Sequence, residues 1–265
     1  MAREAPFGLI LRRGPSKQVC TIGWNRTDDT FELGQWLKGK IYEHRCDLSS
    51  DGEYFLYFAA KHKALWKEGP TAWTAVSRVP YLKAVAFWGQ DESFTGGGQF
   101  HGDRLYYKDK IERETPGQQS YLGKPSLPYL WDSGENEIYD FRLRREGWQR
   151  AEIRPGLDNR ERQDCDTELW EKTRNSWTLQ QFSHGDLNAP FGRGVFWQSY
   201  EAQDLVTGET LGDQSWEWAD FDGDRLVWAQ HGKLFAAKIW DGGHGDITEL
   251  ADFNDWKFKN IVAPY

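Results

Sequence analysis

Residues 100–107 read FHGDRLYY and residues 221–228 read FDGDRLVW, with Phe, Gly, Asp, Arg and Leu at matching positions. In each copy a Gly-Asp pair separates an aromatic residue from a short strand-forming run. Glycine tolerates the backbone conformations of tight turns, and aspartate hydrogen-bonds the backbone just after a turn. The repetition therefore predicts one strand-entry turn used twice. Its structural turn residues are Gly102, Asp103, Gly223 and Asp224.

Three His-Gly-Asp triplets begin at His101, His184 and His244, and histidine with aspartate raises the alternative of a metal site. In the matched pair of octapeptides, however, His101 is replaced by Asp222. The position requires a residue that tolerates a turn, and both histidine and aspartate do so. We therefore predict turns at these triplets, with no metal and no cofactor.

Most apolar stretches are short, alternate with polar residues, and end in Gly, Asp, Asn or Pro, which is typical of β-strands. No segment sustains an apolar stripe at helical spacing over a dozen residues. The pattern predicts an all-β fold, with a tight hairpin turn at His231-Gly232. The predicted strands include 18–24, 53–60, 71–77, 81–88, 104–107, 137–144, 194–200, 215–221, 225–230 and 233–239.

A third stretch, CDLSSDGEYFLYFAAK at 46–61, repeats the pattern of a polar turn and an aromatic strand, with Asp51 and Gly52 in the turn. LSSDGEYFLYF resembles the Ser-Pro-Asp-Gly strand turn of WD-repeat-like and TolB-like β-propellers, with Ser50 in place of the usual proline. The chain also looks like an uncharacterised family of bacterial proteins. The resemblance implies a propeller fold and brings no catalytic residue with it.

Leu56 and Leu105 are separated by about the 40–50 residues of one four-stranded propeller blade. The chain length then predicts a single small propeller domain over 1–265 with about five four-stranded blades. Six blades and a two-sheet sandwich are the alternatives. The charged, Pro- and Gly-containing stretches 108–128 and 154–166 are predicted as surface loops.

The composition argues against some classes of partner. Lys and Arg number 33 against 41 Asp and Glu, so the net charge is −8, which disfavours nucleic-acid binding. Neither a secretory signal nor a run of membrane-spanning length is apparent, which predicts a soluble, cytoplasmic protein without a membrane partner. The widely spaced Cys20, Cys46 and Cys165 are predicted to be free thiols.

Motifs of the common enzyme classes are missing: the sequence has no GxSxG nucleophile elbow, no P-loop and no HExxH zinc motif. Glycoside hydrolysis remains an alternative, since it requires only two suitably separated carboxylates. With 41 acidic residues the sequence does not select such a pair. The interpretation leans away from an enzyme.

Tryptophans and arginines are the candidate binding residues. Trp131 and Trp148 lie beside turn residues and are predicted to be partly exposed, as suits a sugar face or a protein hot spot. Arg142 and Arg144 would share one face of a strand, opposite Phe141. That face is either solvated or docks an acidic partner.

Arg78 lies between two apolar strands, and Pro80 predicts a strand break beside it. An arginine at such a corner needs a carboxylate or carbonyl partner. It could form a structural ion pair, or it could recognise an anion at the mouth of the propeller, with Tyr81 beside it.

Together these patterns predict a non-catalytic recognition module that binds a protein partner, as an immunity or regulatory protein does. A carbohydrate-binding, lectin-like propeller is the second hypothesis. A propeller glycoside hydrolase is the third.

Overall fold

The computed structural model describes residues 1–14, 18–61, 70–90, 96–101, 104–107, 136–151, 168–185, 196–213 and 215–265. Of the described residues, 60% are in strands and 6% in helices, which confirms the all-β prediction. Among the described residues, no helix is long and apolar enough to cross a bilayer.

The first sheet is an antiparallel meander of three strands in the order β1-β2-β3. Its strands are β1 (Phe7–Gly14), β2 (Gln18–Asn25) and β3 (Thr30–Lys38). A bulge between Cys20 and Ile22 interrupts the pairing of β2 with β3.

The second sheet is built around β6, whose two ends pair with two very short strands. Its elements are β4 (Lys40–Ile41), a 3₁₀ turn (Glu43–Arg45), β5 (Asp47–Leu48), β6 (Tyr54–Ala60), β7 (Ala72–Arg78) and β8 (Ala84–Gln90). The order β6-β7-β8 is antiparallel throughout. A two-stranded sheet, β9 (Gly98–His101) with β10 (Arg104–Tyr107), and helix α1 (Asn136–Arg145) follow.

The third sheet has the antiparallel order β11-β12-β13-β14-β15. Its strands are β11 (Gln149–Ala151), β12 (Glu168–Arg174), β13 (Trp177–Gly185), β14 (Phe196–Asp204) and β15 (Thr210–Leu211). In the fourth sheet β16, β17 and β18 form a meander, and β19 and β20 both pair with β18. These strands are β16 (Trp216–Asp222), β17 (Arg225–Gln230), β18 (Lys233–Trp240), β19 (Gly243–His244) and β20 (Thr248–Asp252).

Within the described residues, the sheets form a small β-propeller of four blades, so the predicted fold class is confirmed. The sequence predicted about five blades because the chain length was divided by a blade length taken from the spacing of Leu56 and Leu105. Leu105 instead lies on β10, in a two-stranded sheet, as far as the described residues show. The predicted loops 108–128 and 154–166 lie outside the described residues.

The chain divides into two compact units, Met1–Arg142 with Lys257–Tyr265, and Leu143–Trp256. The first unit contains β1 to β10, and the second contains β11 to β20. A single domain over 1–265 stays a prediction.

In the first unit β6 is buried on both faces, as a blade strand must be when other layers cover both sides of its sheet. Phe55 and Tyr57 belong to one cluster, with Trp73 of β7. Leu56, on the opposite face of β6, packs with Val76 and Phe100. This double burial explains why the sequence of β6 is nearly continuous in apolar residues instead of alternating.

The hairpin predicted at His231-Gly232 is confirmed. Gln230 pairs with Lys233 across it, and both turn residues have positive φ, 52° and 75°. Such angles define the primed turn that matches the twist of a hairpin. Cys20 and Cys46 are free and buried, whereas Cys165 lies outside the described residues.

The strand predicted at 137–144 is wrong, because residues 136–145 form α1. Tyr139 and Leu143, four residues apart and therefore on one side of a helix, are buried. Phe141 is 42% exposed. Alternation and helical spacing both fit this short segment, and burial of the Tyr139–Leu143 side decides in favour of the helix.

Candidate functional site

Arg78 and Tyr81 lie together where β7 ends. The Tyr81 N–H donates to the Arg78 carbonyl at 2.9 Å, and the Tyr81 hydroxyl donates to Glu32 Oε1 at 3.0 Å. The Arg78 guanidinium carbon lies 5.5 Å from the ring centroid of Tyr265. Among the described residues, the Arg78 side chain thus contacts the aromatic ring of Tyr265. A ligand-binding role for Arg78 and Tyr81 stays a prediction.

Arg142 and Arg144 do not share a face, because α1 replaces the predicted strand and residues two apart on a helix point in different directions. Arg142 donates to the carbonyl oxygen of Glu43 at 3.1 Å and to that of Cys46. The Arg144 guanidinium carbon lies 5.8 Å from the Trp170 ring centroid.

Trp148 is buried, with 4% of its surface exposed, so its predicted partial exposure is wrong. Its ring meets Tyr200 of β14 edge-on at 6.4 Å between centroids, and Lys172 Nζ lies 5.7 Å from its centroid. The neighbouring turn is at the surface, but the indole packs inward on the third sheet. Trp131 lies outside the described residues.

The turn at Asp51-Gly52 is closed by side-chain hydrogen bonds. Asp51 Oδ1 accepts from the Ser49 hydroxyl at 2.5 Å and from the Glu53 N–H at 2.9 Å, and Gly52 has a φ of 76°. Gly223 and Asp224 form the two-residue turn between β16 and β17, since Asp222 pairs with Arg225. Gly102 and Asp103 lie outside the described residues.

His184 and His244, at the ends of β13 and β19, have separate local partners. His184 stacks on Trp197 at 3.8 Å and lies 2.8 Å from the Ser199 hydroxyl. His244 Nε2 lies 3.2 Å from Glu209 Oε1. Within the described residues, no group of three or more His, Cys, Asp or Glu side chains is placed to hold a metal ion.

The second unit presents large apolar side chains to solvent on two turns. Leu205 and Val206, in the turn between β14 and β15, are 64% and 70% exposed, and Trp240 at the end of β18 is 50% exposed. A Cβ built on Gly242 would lie 3.6 Å from Val206 Cγ1, so the two turns adjoin. We call Leu205, Val206 and Trp240 the turn platform.

Trp177 and Ser176 hold the two turns in place. The buried indole of Trp177 donates from Nε1 to the carbonyls of both Trp240 and Gly243 at 3.1 Å. The Ser176 carbonyl accepts from the Leu205 N–H at 2.8 Å, and its hydroxyl accepts from the Gly242 N–H at 3.1 Å. The exposed apolar side chains therefore stand on a fixed backbone.

Asp204 fixes the turn between β14 and β15 from inside. Its carboxylate accepts from the Val206 N–H and the Thr207 hydroxyl, each at 3.0 Å. Burial opposes ionisation, but the hydrogen bonds from Ser176, Val206 and Thr207 prevail and lower the pKa of Asp204. A charged carboxylate thus organises the backbone under Leu205 and Val206.

The exposed charged residues of these two turns are acidic. Glu209, Asp241 and Asp246 are exposed in the segments 204–209 and 240–246, which contain no lysine or arginine. A hydrophobic centre with a charged rim is the usual organisation of a protein-binding surface. Acidic side chains therefore lie on the same two turns as the apolar residues of the turn platform.

Two features of the sequence indicate the turn platform, although its residues are not among the predicted binding residues. Lys238 and Trp240 are two apart on β18, so they share a face, and both are exposed. Leu205-Val206 is an apolar pair directly before Thr-Gly, where turn residues are expected. The hydrogen bonds that bring the two turns together connect distant positions, and no local pattern indicates them.

No family model, curated protein or solved structure matches the chain. The likeness of its Asp-Gly turns to WD-repeat-like and TolB-like repeats stays a resemblance, and the likeness to a bacterial family stays a prediction.

Proposed function

We propose that the protein is a non-catalytic recognition module and that the turn platform binds a protein partner. The observation that supports this most is the exposure of Trp240, Leu205 and Val206 on a backbone fixed by buried groups. Tryptophan is enriched among residues that dominate binding energy, and a fixed backbone loses little entropy on binding. β-Propellers commonly mediate binding, which agrees with this role.

The partner that fits is a protein with an apolar contact area and basic residues around it. Glu209, Asp241 and Asp246 would meet those basic residues at the rim, where charges mainly speed association and select the partner. An immunity or regulatory role suits this arrangement, because such a protein acts by occupying its partner.

The test is quantitative capture of partner proteins by the immobilised chain, compared with its Val206→Ser variant. Val262→Ser is the matched control, since Val262 is also exposed but belongs to the first unit. We expect Val206→Ser to release a specific partner that Val262→Ser retains. Equal retention by both variants would contradict a role for the turn platform.

A carbohydrate-binding or glycoside-active propeller is the second candidate, and one observation favours it. Glu171, Gln180 and Glu201 lie opposite one another across β12, β13 and β14. Gln180 donates to Glu171 at 2.6 Å, while burial raises the pKa of Glu201. A raised carboxyl pKa is what a glycosidase needs in its general acid.

Glycan-array binding and turnover of chromogenic glycosides separate this candidate from the first. Binding or turnover that disappears in Glu201→Gln would favour the carbohydrate role. If the chain neither binds nor cleaves the glycans but retains its protein partner, protein recognition through the turn platform is favoured.

A further inference from the structure

Residues 257–265 lie on the first unit as a segment that belongs to no helix or strand. Most of their side chains are exposed, Phe258 by 61% and Val262 by 82%, and Ala263 is the buried one among them. A segment that buries so few side chains opens locally at a low cost in free energy. We call residues 257–265 the strap.

Among the described residues, hydrogen bonds attach the strap at two points. Gln35 Nε2, on β3, donates to the Ile261 carbonyl at 2.7 Å. At the other point the Tyr265 hydroxyl accepts from the Arg78 N–H at 3.0 Å and donates to the Lys83 carbonyl at 2.7 Å. The strap is therefore held chiefly through one tyrosine and one main-chain carbonyl.

The ring of Tyr265 is recognised as well as its hydroxyl. The Arg78 guanidinium carbon lies 5.5 Å and Lys83 Nζ 5.2 Å from its centroid, and Tyr81 meets it edge-on with 6.2 Å between centroids. Cations are attracted to the π-electrons of such a ring. A donor and an acceptor for the hydroxyl also distinguish tyrosine from phenylalanine. We call Gln35, Arg78, Tyr81 and Lys83 the strap site.

The turn 78–83, which supplies most of the strap site, is held by groups outside the strap. The Ser77 hydroxyl donates to the Tyr81 carbonyl at 2.7 Å. The Tyr57 hydroxyl donates to the Leu82 carbonyl, also at 2.7 Å. Ser77 and Tyr57 are both buried, so these bonds do not depend on the strap.

Strand β3 holds the same turn from another side. Gln35 Oε1 accepts from the N–H groups of Leu82 and Lys83, at 2.7 and 2.9 Å, which orients its Nε2 toward the strap. A Cβ on Gly34 would overlap the Pro80 carbonyl oxygen, so β3 lies directly against the turn. The site is thus pre-organised while its occupant is loosely held, and a pre-organised site loses little entropy on binding.

We propose that the strap site binds an extended segment of a partner protein that carries a tyrosine, and that this segment displaces the strap. The contacts of the strap define the chemistry of the occupant. Gln35 Nε2 requires a main-chain carbonyl four positions before the tyrosine, and the buried Ala263 requires a small residue two positions before it. The site belongs to the first unit, whereas the turn platform belongs to the second.

The test uses a fluorescent peptide of residues 257–265 and the full chain with Tyr265→Ala, whose own strap has lost its hydroxyl anchor. Fluorescence anisotropy measures binding. The peptide should bind this variant at least roughly tenfold more tightly than the natural chain, in which the strap competes.

Two changes in the peptide test how it is recognised. Tyr265→Phe should weaken binding roughly tenfold, because both hydrogen bonds of the hydroxyl are lost. Val262→Ser is the matched control and should leave the affinity unchanged, since Val262 is exposed. Amide NMR shifts at Arg78 and Lys83 locate the bound peptide. Circular dichroism verifies folding, and Tyr265→Phe in the full chain replaces Tyr265→Ala should that variant not fold.

Three results would overturn the proposal. The peptide could bind the natural and variant chains equally, or bind neither. The Tyr265→Phe peptide could bind as tightly as the unchanged peptide. The natural chain could form a dimer that the peptide dissociates, which would assign the site to the strap of a second copy in place of a partner.

Discussion

Asp204 illustrates how a single residue fixes the backbone beneath the proposed recognition surface. Its side chain is fully buried at the end of β14 and accepts hydrogen bonds from the turn that carries Leu205 and Val206. A buried carboxylate is tolerated because these donors replace water. The stability of this turn therefore depends on pH, because only the ionised carboxylate of Asp204 suits the arrangement of donors.

Acid should therefore reduce the amount by which Asp204 stabilises the folded chain. Its pKa is lower in the folded chain than in the unfolded chain, where it is about 3.9. The stabilisation is fully present above the unfolded pKa and disappears as the pH falls through the folded pKa. The free energies of unfolding of the natural chain and of Asp204→Asn, measured in urea, should differ most at neutral pH. The difference should shrink below about pH 4. A difference that stays constant down to pH 2 would be inconsistent with this role.

At the scale of elements, Trp177 of β13 connects the end of one sheet with the end of another. Its indole N–H is shared by the carbonyls of Trp240 and Gly243, on either side of the turn between β18 and β19. Phenylalanine would keep most of the apolar packing and remove the donor.

Trp177→Phe should destabilise the chain by about 1–3 kcal/mol, because two carbonyls lose a buried donor. Hydrogen exchange should become faster in the turn around residues 240–243, and the β16–β17 hairpin should be unaffected. Denaturant unfolding and amide exchange measure these effects. Unchanged exchange in the turn would show that the indole does not fix it.

Two hairpin turns offer a matched pair of glycines with positive φ. Gly223 has a φ of 62° and open space where a Cβ would be, whereas a Cβ on Gly232 would lie 2.5 Å from Asn254 Oδ1. The Asn254 side chain has little freedom to move, since its Nδ2 donates to the His231 carbonyl at 3.0 Å.

Gly223→Ala should cost about 1–2 kcal/mol, the price of a left-handed conformation for an L-residue. Gly232→Ala should cost about 1 kcal/mol more, because the Asn254 hydrogen bond must also be displaced. Urea midpoints of the two variants give the comparison. Equal losses would mean that Asn254 moves aside freely.

The sequence predicts the turns and strands of this chain better than it predicts which side chains pack against one another. The Asp-Gly and His-Gly turns are readable because only a few residues accept their backbone angles. The strand predicted at 137–144 is wrong because Tyr139 and Leu143 fit one side of a helix as well as Phe141 and Arg142 fit the alternation of a strand. The packing of Trp148 on Tyr200 depends on positions about fifty residues apart in sequence, and no local pattern contains that information.

At the scale of the molecule, the propeller class follows from repeated turns and aromatic strands, while the number of blades does not. Leu56 lies in a five-stranded sheet and Leu105, as far as the described residues show, in a two-stranded one, although each follows a stretch that contains Gly and Asp. The net charge of −8 likewise gives no sign that Lys40 and Arg45 lie together beside the ring of Tyr42. Average charge describes solubility, whereas recognition depends on where the charges lie.

The measurement that tests the account most directly is the affinity of a captured partner for the natural chain and for two valine variants. We predict that Val206→Ser weakens binding at least roughly tenfold, as expected when an apolar hot-spot contact is lost, and that Val262→Ser leaves it unchanged. Circular dichroism shows that both variants are folded. Equal affinity of the partner for all three chains would contradict recognition through the turn platform.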